Sequence, residues 1–124
     1  MLQGVAECLI RLDRIDEAEA TVRRELSLSR EIGDRQASVF GLAHFAWIAA
    51  LRGEEERAGL LWGAVEAEEA RAPVGQWETE RDDFRERVGA GDAFECARLT
   101  GRTLSLAAAI EEALATSPAG AVET

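Results

Sequence analysis

Apolar side chains recur along this chain at intervals of three and four residues rather than at every second position, the spacing that lines one face of a helix. Val5, Leu9 and Leu12 keep that spacing, with Ala6 and Ile10 beside them, and predict a first helix that begins at or before Leu2 and runs to about Leu12. Asp16 followed by Glu19 has the spacing of a capping box, and Ala18, Val22, Leu26 and Leu28 supply the buried stripe of a second helix, which Gly33 ends. Asp34 then caps a third helix that reaches about Arg52. Between Val39 and Leu51 this helix is apolar nearly all the way round, so it must be central and covered on several sides.

Gly53 closes the third helix, and Glu54, Glu55 and Glu56 begin a fourth with the negative charge that a helix N-terminus favours. It reaches about Ala70. Pro73 and Gly75 interrupt the pattern, after which Trp77, Phe84 and Val88 predict a fifth helix from about Gln76 to Val88. Beyond Gly89 and Gly91, Asp92 and Glu95 repeat the capping-box spacing ahead of a short helix through Phe94, Ala97 and Leu99, which Gly101 stops. Ser105 caps a last helix, Leu106 to Ala115, and the segment 117–124 is expected to be a disordered tail.

Composition agrees with an all-α chain. Its 124 residues suit one domain, 23 of them are Ala, and there are two prolines, Pro73 and Pro118. Against 24 acidic residues stand 14 basic ones, all arginine, for a formal charge of −10. That charge repels a phosphate backbone and argues against direct nucleic-acid binding. The longest mostly apolar stretch, Val39 to Leu51, contains His44 and is too short for a bilayer span, and no export signal is evident. No membrane association is expected. Cys8 and Cys96 lie far apart in a chain with enough apolar content to fold without a staple, so both read as free thiols of a cytoplasmic protein.

An internal period of 40 residues runs through the first half, aligning Ala6 with Ala46, Ala18 with Ala58 and Val22 with Trp62. A small residue in each helix lets the two backbones of an antiparallel hairpin approach, and the larger residue one turn later fills the gap beside it. These positions resemble the tetratricopeptide repeat, best in the second copy: Phe45-Ala46, then Gly53-Glu54-Glu55-Glu56-Arg57-Ala58, then Trp62. In the first copy Asp13 stands where the turn glycine would be, and the period exceeds the usual one of about 34 residues. Repeats lengthened in this way, and the segments Leu61-Trp62-Gly63-Ala64 and Gly101-Arg102-Thr103-Leu104-Ser105-Leu106, are similar to the C-terminal region of large bacterial regulators of the LuxR and STAND ATPase types. The resemblance implies an α-solenoid fragment: two helical hairpins over 1–72, capping helices over 73–116 and the tail. Without lysine there is no Walker A loop, so no nucleotide chemistry follows from it.

Candidate chemistry is sparse. His44 is the sole histidine and sits in the most apolar helix, where a neutral, hydrogen-bonded imidazole is the ordinary role; with the cysteines isolated, no metal site and no cofactor is expected. The carboxylates from Glu54 to Asp83 are interleaved with arginines at i, i+3 and i, i+4 spacings and read as solvated helix faces rather than a catalytic pair. Trp62 is expected in the core.

If the first helix of each hairpin lines the inner surface of a superhelix, Gln3, Glu7, Ile10 and Arg11 from one repeat and Phe40, Ala43, Trp47 and Leu51 from the next face a partner-binding groove. The competing expectation is that the C-terminal helices cover Trp47. The chain enters its first helix at once, so an exposed apolar edge around Leu2, Val5 and Leu9 is expected to hold a neighbouring domain, a protein partner or a second copy of the chain. These features point to a non-catalytic protein-interaction scaffold within a cytoplasmic bacterial signalling or transcriptional regulator, with a small-ligand sensor using the same groove as the alternative.

Overall fold

The structure, a computed structural model, describes residues 2–115, with the side chains of Leu2 and Gln3 left aside. The expectations for Leu2, Gln3 and the tail over 117–124 therefore lie outside the described residues. The described part is all-helical: α1 (Leu2–Arg11), α2 (Ile15–Ile32), α3 (Arg35–Leu51), α4 (Glu55–Arg71), α5 (Trp77–Val88), α6 (Asp92–Gly101) and α7 (Leu106–Ala115).

Local chemistry sets most of the boundaries. Gly33 takes a left-handed conformation, φ 73°, that only glycine adopts freely, and ends α2 there. Asp34 caps α3 by accepting a hydrogen bond from the Ala37 amide at 3.0 Å, and Ser105 caps α7 by accepting one from Ala108 at 3.1 Å. Two expected caps are corrected. Asp16 lies inside the first turn of α2, whose capping position is Arg14, because Asp16 and Glu19 are both drawn to Arg52 at the end of α3. Asp92 is likewise the first residue of α6, and Gly91 holds the capping position.

Successive helices pack on one another from α1 to α4; α5 then lies on α3, α6 on α4, and α7 reaches α2, α3 and α4. α3 is buried from Ser38 to Ala49, as its apolar circumference requires. Ala6, Ala18, Ala46 and Ala58, the small residues at the helix seams, are all fully buried, and so are Val22 and Trp62 beside them. Among the expected apolar residues, Leu28 and Leu99 are exposed, since no helix lies against those faces of α2 and α6. Val5 and Leu12 are exposed too: Ala6 and Ile10, not Val5 and Leu12, face the interior, with Leu9 partly buried.

The α4–α6 contact is the tightest in the fold. A Cβ on Gly59 or Gly63 would collide with the Phe94 or Arg98 carbonyl of α6, and one on Gly101 with the Leu60 carbonyl of α4. Three glycines on facing surfaces thus bring two helix backbones into direct contact. Phe94 fills the space at one end of this crossing and is fully buried.

Candidate functional site

The expected groove face of α3 is occupied by the protein's own fifth helix. Phe84 of α5 packs edge-on against His44, Trp47 and Phe40, at ring-centroid distances of 5.2, 6.0 and 6.2 Å. Trp77, at the start of α5, lies 5.3 Å from Phe40 and 5.7 Å from Trp62. Phe40, Ala43 and Trp47 are buried as a result, as is Ile10 from α1. The cover over Trp47 is completed by two guanidinium groups, Arg11 at 5.8 Å and Arg87 at 5.0 Å from its ring. The groove made of these residues is therefore corrected to an internal aromatic seam: an α3 that is apolar on all sides recruits α5 to remove that surface from water.

Of the remaining residues expected there, Glu7 and Arg11 pair with each other on the surface at 2.8 Å. Leu51 is exposed at the end of α3, away from the covered segment. The structure brings Arg11 to Trp47 as the groove reading required, but as part of its lid.

His44 is sealed in this seam. Burial holds its imidazole neutral, with a pKa lowered to about 4, and neither ring nitrogen has a hydrogen-bond partner among the described residues. The expected hydrogen bond to a neighbour is thus replaced by the edge contact with Phe84. Cys8 and Cys96 are free and exposed. No group of three or more histidine, cysteine or carboxylate side chains is arranged to hold a metal among the described residues, and none of the described helices is long and apolar enough to cross a membrane.

The carboxylates do not form the uniformly solvated faces that their sequence spacing implied. Glu68 is buried and binds Arg35, whose Nε donates to it at 2.5 Å while its other nitrogens donate to the carbonyls of Glu68, Ala72 and Pro73. Glu19 is buried and held by Arg52 and Arg23. Glu66 receives Arg98, Arg102 and the Trp62 indole N–H, and Glu69 receives Arg81. Apart from Arg23 with Glu19 and Trp62 with Glu66, each four residues apart on one helix, these pairs span 12 to 36 residues and tie distant segments together. They act as structural clamps, and the buried carboxylates Glu19 and Glu68 each have a cation beside them, whereas the buried Glu25 of α2 has none among the described residues.

Of the six exposed large aliphatic residues among the described ones, four lie on the first hairpin and the other two, Leu51 and Leu99, stand singly. Val5 on α1 and Leu12, in the turn that follows it, are 48% and 64% exposed; Leu28 and Ile32, one turn apart on α2, are 51% and 67% exposed. Helical spacing puts Leu28 and Ile32 on one face of α2. Sequence reasoning found Val5 but placed Leu28 in the core; the signal that could have corrected this is that Leu28 and Ile32 stand off the Ala18–Val22–Leu26 stripe. Comparison with protein families, with curated proteins and with solved structures finds no match to this chain.

Proposed function

We propose that the chain is a non-catalytic protein–protein interaction scaffold, built of two tetratricopeptide-like hairpins, α1–α2 and α3–α4, closed on the C-terminal side by α5, α6 and α7. The equivalent burial of Ala6 with Ala46, Ala18 with Ala58 and Val22 with Trp62 supports the repeat. On this reading the chain is the helical-repeat part of a cytoplasmic bacterial signalling or transcriptional regulator. Its ligand would be a protein, a neighbouring domain or a second copy of itself.

The observation that carries the proposal is the set of exposed aliphatic residues on the first hairpin, Val5 and Leu12 and, one turn apart on α2, Leu28 and Ile32. Large aliphatic residues that recur on one face of a helix mark a contact surface more strongly than the same residues scattered singly. The ligand-sensor alternative needed room beside Phe40 and Trp47, where α5 packs, and is not carried forward.

Sedimentation velocity from micromolar to sub-millimolar concentration tests the proposal. The wild-type chain is expected to self-associate and to bind an apolar dye, and the double variant Leu28→Glu, Ile32→Glu to lose both with its helical circular dichroism unchanged. Because each copy carries a formal charge of −10, salt should strengthen the association. A chain that stays monomeric throughout and binds no dye would refute the exposed edge.

A further inference from the structure

Between α4, α6 and α7 lies an open groove of about 700 Å³. Ala93, Cys96, Ala97 and Thr100 stand at i, i+3, i+4 and i+7 on α6 and form one wall, and Leu60 of α4 adds to the apolar floor. The rim is acidic, with Glu56 from α4, Asp92 from α6 and Glu112 from α7. An adjoining groove of about 530 Å³ shares Glu56, Arg57 and Ala93 with the first and extends the acidic edge through Glu54 and Glu55.

Carboxylates outnumber arginines along this rim, as they do over the exposed face of α5. Around α4, α5 and α6, Glu66, Glu68, Glu69 and Glu95 are each held by an arginine. Glu54, Glu55, Glu56, Asp92 and Glu112 take part in no ion pair among the described residues. Glu55, Glu56 and Asp92 lie in the first turns of α4 and α6. Among the described residues Arg57 is the one cation lining the groove; it donates to the Ala113 carbonyl at 2.9 Å, lies 5.9 Å from the Phe45 ring and is attracted by Glu54 and Glu112, so one arginine stands against five rim carboxylates.

We infer that this groove docks a basic amphipathic helix of a partner protein, with aliphatic side chains on the floor of Leu60, Ala93 and Ala97 and arginines or lysines on the rim of Glu56, Asp92 and Glu112. Charge selects the occupant. Neither a polyanion nor the chain's own segment 116–124, which contains no basic residue, complements this rim. The inference rests on the interaction-scaffold reading but uses different residues, none of them among the exposed aliphatic residues of the first hairpin.

The test uses the full chain carrying Cys8→Ser, so that Cys96 in the groove wall is its remaining thiol. The probe is a synthetic helical peptide with leucine on one face and arginine on the other. Saturable binding is expected, weakened by salt, with alkylation of Cys96 by iodoacetamide slowed at least about fivefold in the saturated complex. Glu56→Gln, Asp92→Asn and Glu112→Gln together should weaken the peptide about tenfold, the sum expected of three exposed charge pairs. Neutralising Glu31, Glu80 and Glu86, which lie away from the groove, should not.

Equal loss in both triple variants would reduce the effect to bulk charge and overturn the inference. An unprotected Cys96, equal binding of a peptide with glutamate in place of arginine, or equally tight binding of spermine would overturn it too. Salt-strengthened self-association with no peptide binding would refute this groove and leave the scaffold reading intact; absence of both would refute both.

Discussion

The hairpin α3–α4 is covered on two sides: α5 lays Trp77 and Phe84 over α3, and α6 presses its backbone onto α4 at Gly59, Gly63 and Gly101. The hairpin α1–α2 meets α3 along its inner side and touches α7 where Arg23 donates to the Leu114 carbonyl, and its other faces carry Val5, Leu12, Leu28 and Ile32 into solvent. Both hairpins use the same seam of buried alanines. What differs is the company each keeps. The seam makes a hairpin, and the neighbours decide whether its outer faces become core or contact surface.

The largest expected effect lies in the covered hairpin. Trp62 is buried beside Trp77 and donates its indole N–H to Glu66 at 3.1 Å. Trp62→Ala should destabilise by about 3–5 kcal/mol in urea unfolding, and a loss below about 1 kcal/mol would contradict a core role.

The same substitution at two glycines should then have opposite signs. At Gly63 a methyl group meets the Arg98 carbonyl, a backbone atom that cannot step aside, so Gly63→Ala should cost about 2–3 kcal/mol. At Gly4 in α1 nothing lies within 4 Å of the added carbon, and Gly4→Ala should stabilise by about 0.5 kcal/mol through helix propensity. Thermal melts of the two variants make the comparison. Destabilisation by Gly4→Ala would mean that the first hairpin is covered after all.

Each hairpin also buries a titratable group of opposite type. His44 in α3 has its pKa lowered to about 4 by burial, so the unfolded chain takes up its proton more readily, and its contribution to stability is lost as pH falls from about 6.5 to 4. Glu25 in α2 has its pKa raised to about 7 by burial, so the folded chain holds its proton more tightly, and stability is lost as pH rises from about 4.5 to 7. Glu25→Gln should remove the second slope, raising stability relative to wild type by about 2 kcal/mol at pH 8 and by nothing at pH 4, with solvent screening allowed for. His44→Leu should remove the first slope and leave the second. Stability curves that keep a constant offset between wild type and Glu25→Gln across this range would show that Glu25 is not buried.

Features decided within a few residues were legible in the sequence. Asp34 and Ser105 as caps, Gly33 as a stop, the alanine seam and the buried Trp62 all follow from local spacing and conformational preference. The covering of α3 was legible as a requirement, since a helix apolar all round must be enclosed, but its agent was not, because nothing local to Phe40 or Trp47 says that Phe84 will fold back onto them. The long-range pairs of Arg35 with Glu68 and Arg98 with Glu66 were hidden behind neighbouring charges at i, i+3 and i, i+4 that suggested surface pairing instead. The Gly59-x-x-x-Gly63 spacing was present in the chain and marked the close approach of α6; its meaning depends on a facing backbone that lies more than thirty residues away.

Hydrogen exchange followed by mass spectrometry, at low and at high protein concentration, addresses the contrast between the hairpins directly. If the first hairpin is the uncovered contact surface and the second is closed by its own chain, amides of α1 and α2 gain protection as concentration rises, while those of α3, α5 and the α4–α6 crossing are already slow and do not change. Protection gained across α3 to α6 instead, or gained nowhere, would contradict that division.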